Sequence, residues 1–123
     1  MRQLLPAFVT LLVGACSSLG FEADVTNKTP LTPPAVYATW WARTETCSGL
    51  EGDMARVTWY TATGITGDGK VASGRWSEPH DIIIVLGYEA DETIVRHEML
   101  HDLLDGDREH LDAAWTRCDL LVD

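Results

Sequence analysis

Asp91-Glu92-Thr93-Ile94-Val95-Arg96-His97-Glu98-Met99-Leu100-His101-Asp102-Leu103-Leu104 reads as one helix, and the rest of the chain is placed around it. Asp91 can cap its start through its side chain, and Gly106 lies just beyond its end. Ile94, Val95, Met99, Leu100, Leu103 and Leu104 supply the apolar positions. Residues four apart share a helical face, so His97 and His101 aim their imidazoles at one spot, with Glu98 beside them. Two imidazoles at that spacing suit a single metal ion. The adjoining carboxylate suits a base for water at that ion.

Upstream, Asp81 to Leu86 holds Ile82, Ile83, Ile84 and Val85, the clearest strand in the chain, and Gly87 ends it. Ala55 to Thr61 and Val71 to Trp76 read as further strands, with turn signals at Thr63-Gly64 and at Gly67-Asp68-Gly69. Pro33-Pro34 suits the first turn of a helix. Val36, Tyr37, Trp40, Trp41, Thr44 and Cys47 carry that helix on at helical spacing, and Gly49 can stop it. The Trp40-Trp41 pair is read as core packing rather than a ligand platform, and Glu45 as part of a solvated face. Downstream, His110 to Cys118 predicts a last short helix with Leu111, Ala114, Trp115 and Cys118 on one side. The expected class is α+β: an N-terminal helix, a small mostly antiparallel sheet, the motif helix and a short C-terminal helix.

The N-terminus is set apart from this fold. Met1-Arg2-Gln3 is a short positive start, and Leu4 to Val13 is an apolar run too short to span a bilayer as a mature helix. Val13-Gly14-Ala15-Cys16 follows. Residues 1–15 are therefore expected to be a secretory signal peptide. Its end resembles the bacterial lipobox, which implies cleavage before Cys16 and lipidation of that residue. Ser17 after the cysteine resembles the class sorted to the outer membrane. Residues 16–34, dense in Thr and Pro, are expected to tether the domain of residues 35–123 to its anchor. With Cys16 taken by lipid, Cys47 and Cys118 remain as a pair, and an oxidising compartment makes a disulfide the default.

A chain of 123 residues allows one domain. Nine Lys and Arg against nineteen Asp and Glu give a net charge of −10, which argues against nucleic acid as a partner. The expected state is a monomer acting on a peptide or protein substrate.

From Asp81 to His110, a strand followed by a His-Glu-x-x-His helix resembles the zincin metallopeptidases. The wider layout resembles small secreted bacterial proteins of zincin type. That resemblance implies a zinc ion, a sheet packed on the motif helix, an edge strand along the cleft and a third protein ligand. Metzincins place that ligand six residues after the second His, and here the position holds Asp107. His110, past the Gly106 turn, is the favoured third ligand, with Asp107, Glu109 and Asp112 as alternatives. The residue after the second His is usually uncharged in zincins, and here Asp102 either flanks the site or faces water. His80 is read as a loop histidine, with a substrate-facing donor near the cleft as the alternative. The function implied is zinc-dependent peptide-bond hydrolysis at the bacterial cell envelope, with Glu98 as general base. The alternative is a non-catalytic envelope lipoprotein that keeps the zinc site as a binding module.

Overall fold

The computed structural model describes residues 24–122, so the expected signal peptide and Cys16 lie outside the described residues. The class is α+β: an N-terminal helix, two small mostly antiparallel sheets, the motif helix and a short C-terminal helix.

Two short strands open the fold: β1 (Asp24–Thr26) and β2 (Thr29–Pro30). Helix α1 (Val36–Ser48) follows. The strands β3 (Thr58–Ala62), β4 (Gly64–Gly67), β5 (Lys70–Ala72), β6 (Gly74–Ser77) and β7 (Asp81–Val85) come next. Helix α2 (Glu92–Leu103) and α3 (Ala114–Arg117) close the chain. One antiparallel sheet has the order β1-β4-β5. The other has the order β2-β3-β7-β6, antiparallel except for the parallel β3–β7 pair.

Helix α1 buries Tyr37, Trp40, Trp41, Thr44 and Ser48, so the tryptophan pair is core, as its spacing predicts. Gly49 ends the helix in the left-handed region at φ 74°, donating its N–H to the Glu45 carbonyl. The Glu45 carboxylate is not a free solvated group but accepts the Gly52 N–H. β7 is an inner strand buried on both faces. Ile82 and Ile84 join Tyr37, Trp59, Val95 and Met99 between sheet and helices. Ile83 packs on the opposite face with Ala62 and Ile65. This two-sided burial is why the strand reads as an unbroken apolar run rather than an alternating one.

Three sequence expectations change. Part of the predicted tether is folded: β1 pairs with β4 and β2 with β3, so the folded unit begins by Asp24 rather than at residue 35. Backbone pairing orders this stretch, helped by Val25 and Leu31, which are partly buried against the core. The strand expected over Val71 to Trp76 is two strands in different sheets, divided at Ser73, whose carbonyl accepts the Val85 N–H. The Thr63-Gly64 turn signal holds: Thr63 is the bend between β3 and β4, which lie in different sheets. The last helix is only Ala114–Arg117, because His110 adopts φ 58° and residues before it form a loop instead.

Cys47 and Cys118 form a disulfide, joining the end of α1 to the end of α3. Cys118 lies in a second buried cluster with Leu100, Ala114, Trp115 and Leu120. No helix among the described residues is long and apolar enough to cross a membrane.

Candidate metal centre

Helix α2 supplies the first two imidazoles. The Asp91 carboxylate caps its start, accepting the Ile94 N–H. One face, with Val95 and Met99, is buried against α1 and the second sheet, which fixes the rotation of the helix. His97 and His101 then lie together, both buried. His110 joins them from the loop after α2. The ligand atoms of His97, His101 and His110 lie within 4.8 Å of one another, and they are the only such His, Cys, Asp and Glu group among the described residues.

Ring orientation decides what these histidines offer. His97 Nδ1 lies 2.6 Å from the Leu120 carbonyl oxygen, and His101 Nδ1 lies 2.7 Å from that of Gly106. A carbonyl oxygen only accepts, so each Nδ1 carries the proton and donates. In the neutral ring the Nε2 lone pair is then free to bind a metal. His97 Nε2 and His110 Nε2 are 3.2 Å apart. Two ligands of one tetrahedral zinc sit roughly 3.3 Å apart at ordinary Zn–N bond lengths. Burial pushes His97 below its ordinary value, and burial pushes His101 down to about 4, against the opposing pull of the Gly106 carbonyl. Both effects favour the neutral rings that bind metals. Three imidazoles with free ring nitrogens fit a divalent ion such as zinc, and three is the number that leaves a fourth position open.

Trp115 forms the floor under the group. Its ring centroid is 4.7 Å from that of His97 and 4.6 Å from those of His101 and His110. Asp107, an alternative third ligand at the sequence level, does different work. Its carboxylate accepts the backbone N–H groups of Leu111 and Asp112 and the Trp115 indole N–H. The first two of these bonds, from Asp112 and then Leu111, hold Asp107 below the usual carboxylate range. It thus holds the loop that carries His110 and ties it to the tryptophan floor. Glu109 and Asp112 are exposed and outside the three-histidine group.

Glu98 is buried, and its side chain lies along β6. A Cβ on Gly74 would sit 3.1 Å from Glu98 Cγ, so glycine there makes the room. Burial pushes the Glu98 carboxyl up to about 8, opposed by a hydrogen bond from the Trp76 backbone and by the Arg75 charge. β6 is the edge strand of its sheet, and it borders a cavity of about 300 Å³ together with the β4–β5 hairpin. His97, Glu98, His101 and His110 all line that cavity.

Asp102 neither faces water nor belongs to the histidine group. It is fully buried and accepts from Arg56 Nε and the Trp76 indole, and its Oδ1 lies 2.9 Å from His80 Nδ1. Trp76 in turn stacks on His101 with centroids 6.5 Å apart. His80 lies in the turn between β6 and β7, as the sequence predicts, and its ring joins this polar cluster rather than the lining of the cavity. The carbonyls of Leu120 and Gly106 were not legible in the sequence, because backbone acceptors carry no residue signature. Trp115 read only as one face of a helix. Compared with protein-family models, curated proteins and solved structures, the chain matches none.

Proposed function

We propose that this chain is a zinc-dependent peptidase of zincin type that hydrolyses peptide bonds at the bacterial cell envelope, held there by lipid on Cys16. The observation that carries the reading is the convergence of His97, His101 and His110 in a cavity that Glu98 also lines. A structural zinc site is closed by four protein ligands, whereas this group offers three and adjoins open space. When bound, the ion supplies Lewis acidity that polarises a scissile carbonyl and lowers the pKa of water.

The chain's own residues do the rest. Beside a bound divalent ion the raised pKa of Glu98 is drawn back down, and the ionised carboxylate then takes a proton from the water that attacks the carbonyl carbon and delivers it to the amine as the C–N bond breaks. Gly74 leaves space for that carboxylate beside β6. The outer edge of β6 pairs with no strand among the described residues, so it is available to hydrogen-bond an extended peptide along the cavity. The envelope assignment rests on the positive start, the apolar run and Cys16 in the sequence, and is supported by the Cys47–Cys118 disulfide. The working unit is a monomer whose partner is its peptide or protein substrate.

Metal analysis of the purified protein tests the first step. About one zinc per chain is expected, and clearly less under non-chelating conditions sinks the reading. Glu98→Gln tests the second. The variant keeps zinc but loses peptide cleavage that the wild type performs. If the zinc-loaded wild type also cleaves nothing, the chain is the binding module rather than the enzyme.

A further inference from the structure

The chain is strongly acidic, so the whereabouts of its few cations carries information. Most of those in the described residues are engaged. Arg43 pairs with Glu92, and Arg56 with Asp102. Arg96 bonds the Thr44 hydroxyl and lies near Glu92. Arg117 donates to the Ser48 carbonyl, and the Lys28 ammonium sits 4.0 Å from the Tyr60 ring centroid. Lys70, Arg75 and Arg108 are the exceptions. Among the described residues, their side chains make no ion pair or hydrogen bond. All three line the cavity that holds the histidine group.

This distribution is uneven in a way that chance placement on an acidic surface does not favour. The three come from separate places in the chain: β5, β6 and the loop before His110. The acidic residues lining the same cavity are Asp68 and Glu98, and Glu98 is committed to the reacting centre. Three cations thus line one cavity against a single uncommitted carboxylate, and a cleft with an excess of one sign of charge draws in ligands of the other. Guanidinium groups also match carboxylates in shape and hydrogen-bonding geometry.

We propose that the cavity selects a peptide bearing a carboxylate close to the bond to be cut, bound by Lys70, Arg75 and Arg108. The carboxylate is supplied by a free peptide C-terminus or by an Asp or Glu side chain. The cleavage part of this inference rests on the peptidase reading above, and the binding part does not. An acidic chain repels such a peptide over most of its surface, so the three cations set both where it docks and which end or side chain leads.

The test uses the full chain loaded with zinc and carrying Glu98→Gln, which binds without turnover. Calorimetry compares four peptides of one neutral sequence: amidated, with a free C-terminus, amidated with one Glu, and amidated with one Lys. At least one carboxylate peptide should bind about tenfold tighter than the neutral one, with the Lys peptide weakest. Raising salt should shrink the preference. Adding Arg75→Gln and Arg108→Gln should reduce it to about twofold or less. Which carboxylate peptide wins identifies the source. Equal or undetectable binding of all four overturns the proposal, as does a preference untouched by the two Arg substitutions and by Lys70→Gln. The wild type, digesting the same four peptides, separates the two readings. Equal cleavage of neutral and anionic peptides overturns carboxylate selection and leaves the peptidase standing. Selective binding without any cleavage removes the peptidase and leaves carboxylate recognition standing.

Discussion

His97 Nδ1 lies 2.6 Å from the carbonyl oxygen of Leu120, 23 residues further along the chain. A candidate metal-ligating imidazole is thereby oriented by the backbone of the C-terminal tail. The Cys47–Cys118 disulfide anchors that tail two residues earlier, and the buried Leu120 side chain anchors it at the bond itself. The local order of the tail and the geometry of the site are one problem.

A chain ending at Asp119 should therefore bind zinc about 10–100-fold more weakly, the usual cost of losing a partner that orients a metal-bound histidine. Chelator competition measures it. Leu120→Ala is the control: it keeps the carbonyl and loses the buried side chain, at about 2–5 kcal/mol of stability. If both variants weaken zinc equally, packing rather than the carbonyl orients His97.

Asp107 and His110 separate support from ligation. His110→Ala should drop zinc well below one per chain, because it removes one of three converging nitrogens. Asp107→Asn should keep stoichiometric zinc but weaken it about tenfold, since an amide cannot accept from Leu111, Asp112 and Trp115 together. Asparagine tolerates the φ of 57° found at this position, so backbone strain does not confuse the result. Loss of zinc in Asp107→Asn as complete as in His110→Ala would make Asp107 a ligand after all.

The contrast between these two residues shows what a sequence can and cannot disclose about such a site. His97, Glu98 and His101 are legible because helical geometry is regular and places i and i+4 together whatever surrounds them. His110 is legible only as the favoured one of four oxygen or nitrogen donors. Its position depends on left-handed backbone at Asp105, Asp107 and His110, which no simple periodicity encodes. The same holds for the fold. The apolar strand β7 and helices α1 and α2 announce themselves by composition and period. β1 and β2 do not, because they are short, mostly exposed and held largely by backbone pairing to β4 and β3.

Gly74→Ala probes the proposed general base, Glu98, without replacing it. The added Cβ would meet Glu98 Cγ at 3.1 Å, Glu98 Oε1 at 3.3 Å and the Ile83 carbonyl at 3.4 Å. The glutamate chain is the part that can give way, so the fold should persist while the carboxylate shifts by a few tenths of an ångström. Peptide cleavage should fall on the order of tenfold in kcat with zinc content unchanged, since small displacements of reacting groups are costly. Unchanged kcat would show that Glu98 is not held against β6 during turnover.

Alkaline pH tests the core under α1. Tyr37 is fully buried and donates its hydroxyl to the Glu89 carbonyl, 52 residues away. Burial, reinforced by the Glu89 charge, pushes its phenol up to about 12 from an ordinary value of 10. Between those two values the unfolded chain releases this proton and the folded chain keeps it. The stability linked to Tyr37 is therefore fully present below about pH 10 and is lost as pH rises toward about 12. Tyr37→Phe should cost about 0.5–1.5 kcal/mol near neutrality, for the lost hydrogen bond. It should also flatten the fall of stability between pH 10 and 12 relative to wild type. Denaturant melts across that range compare the two slopes. Parallel slopes would show that the Tyr37 phenol ionises as readily in the folded chain as in the unfolded one.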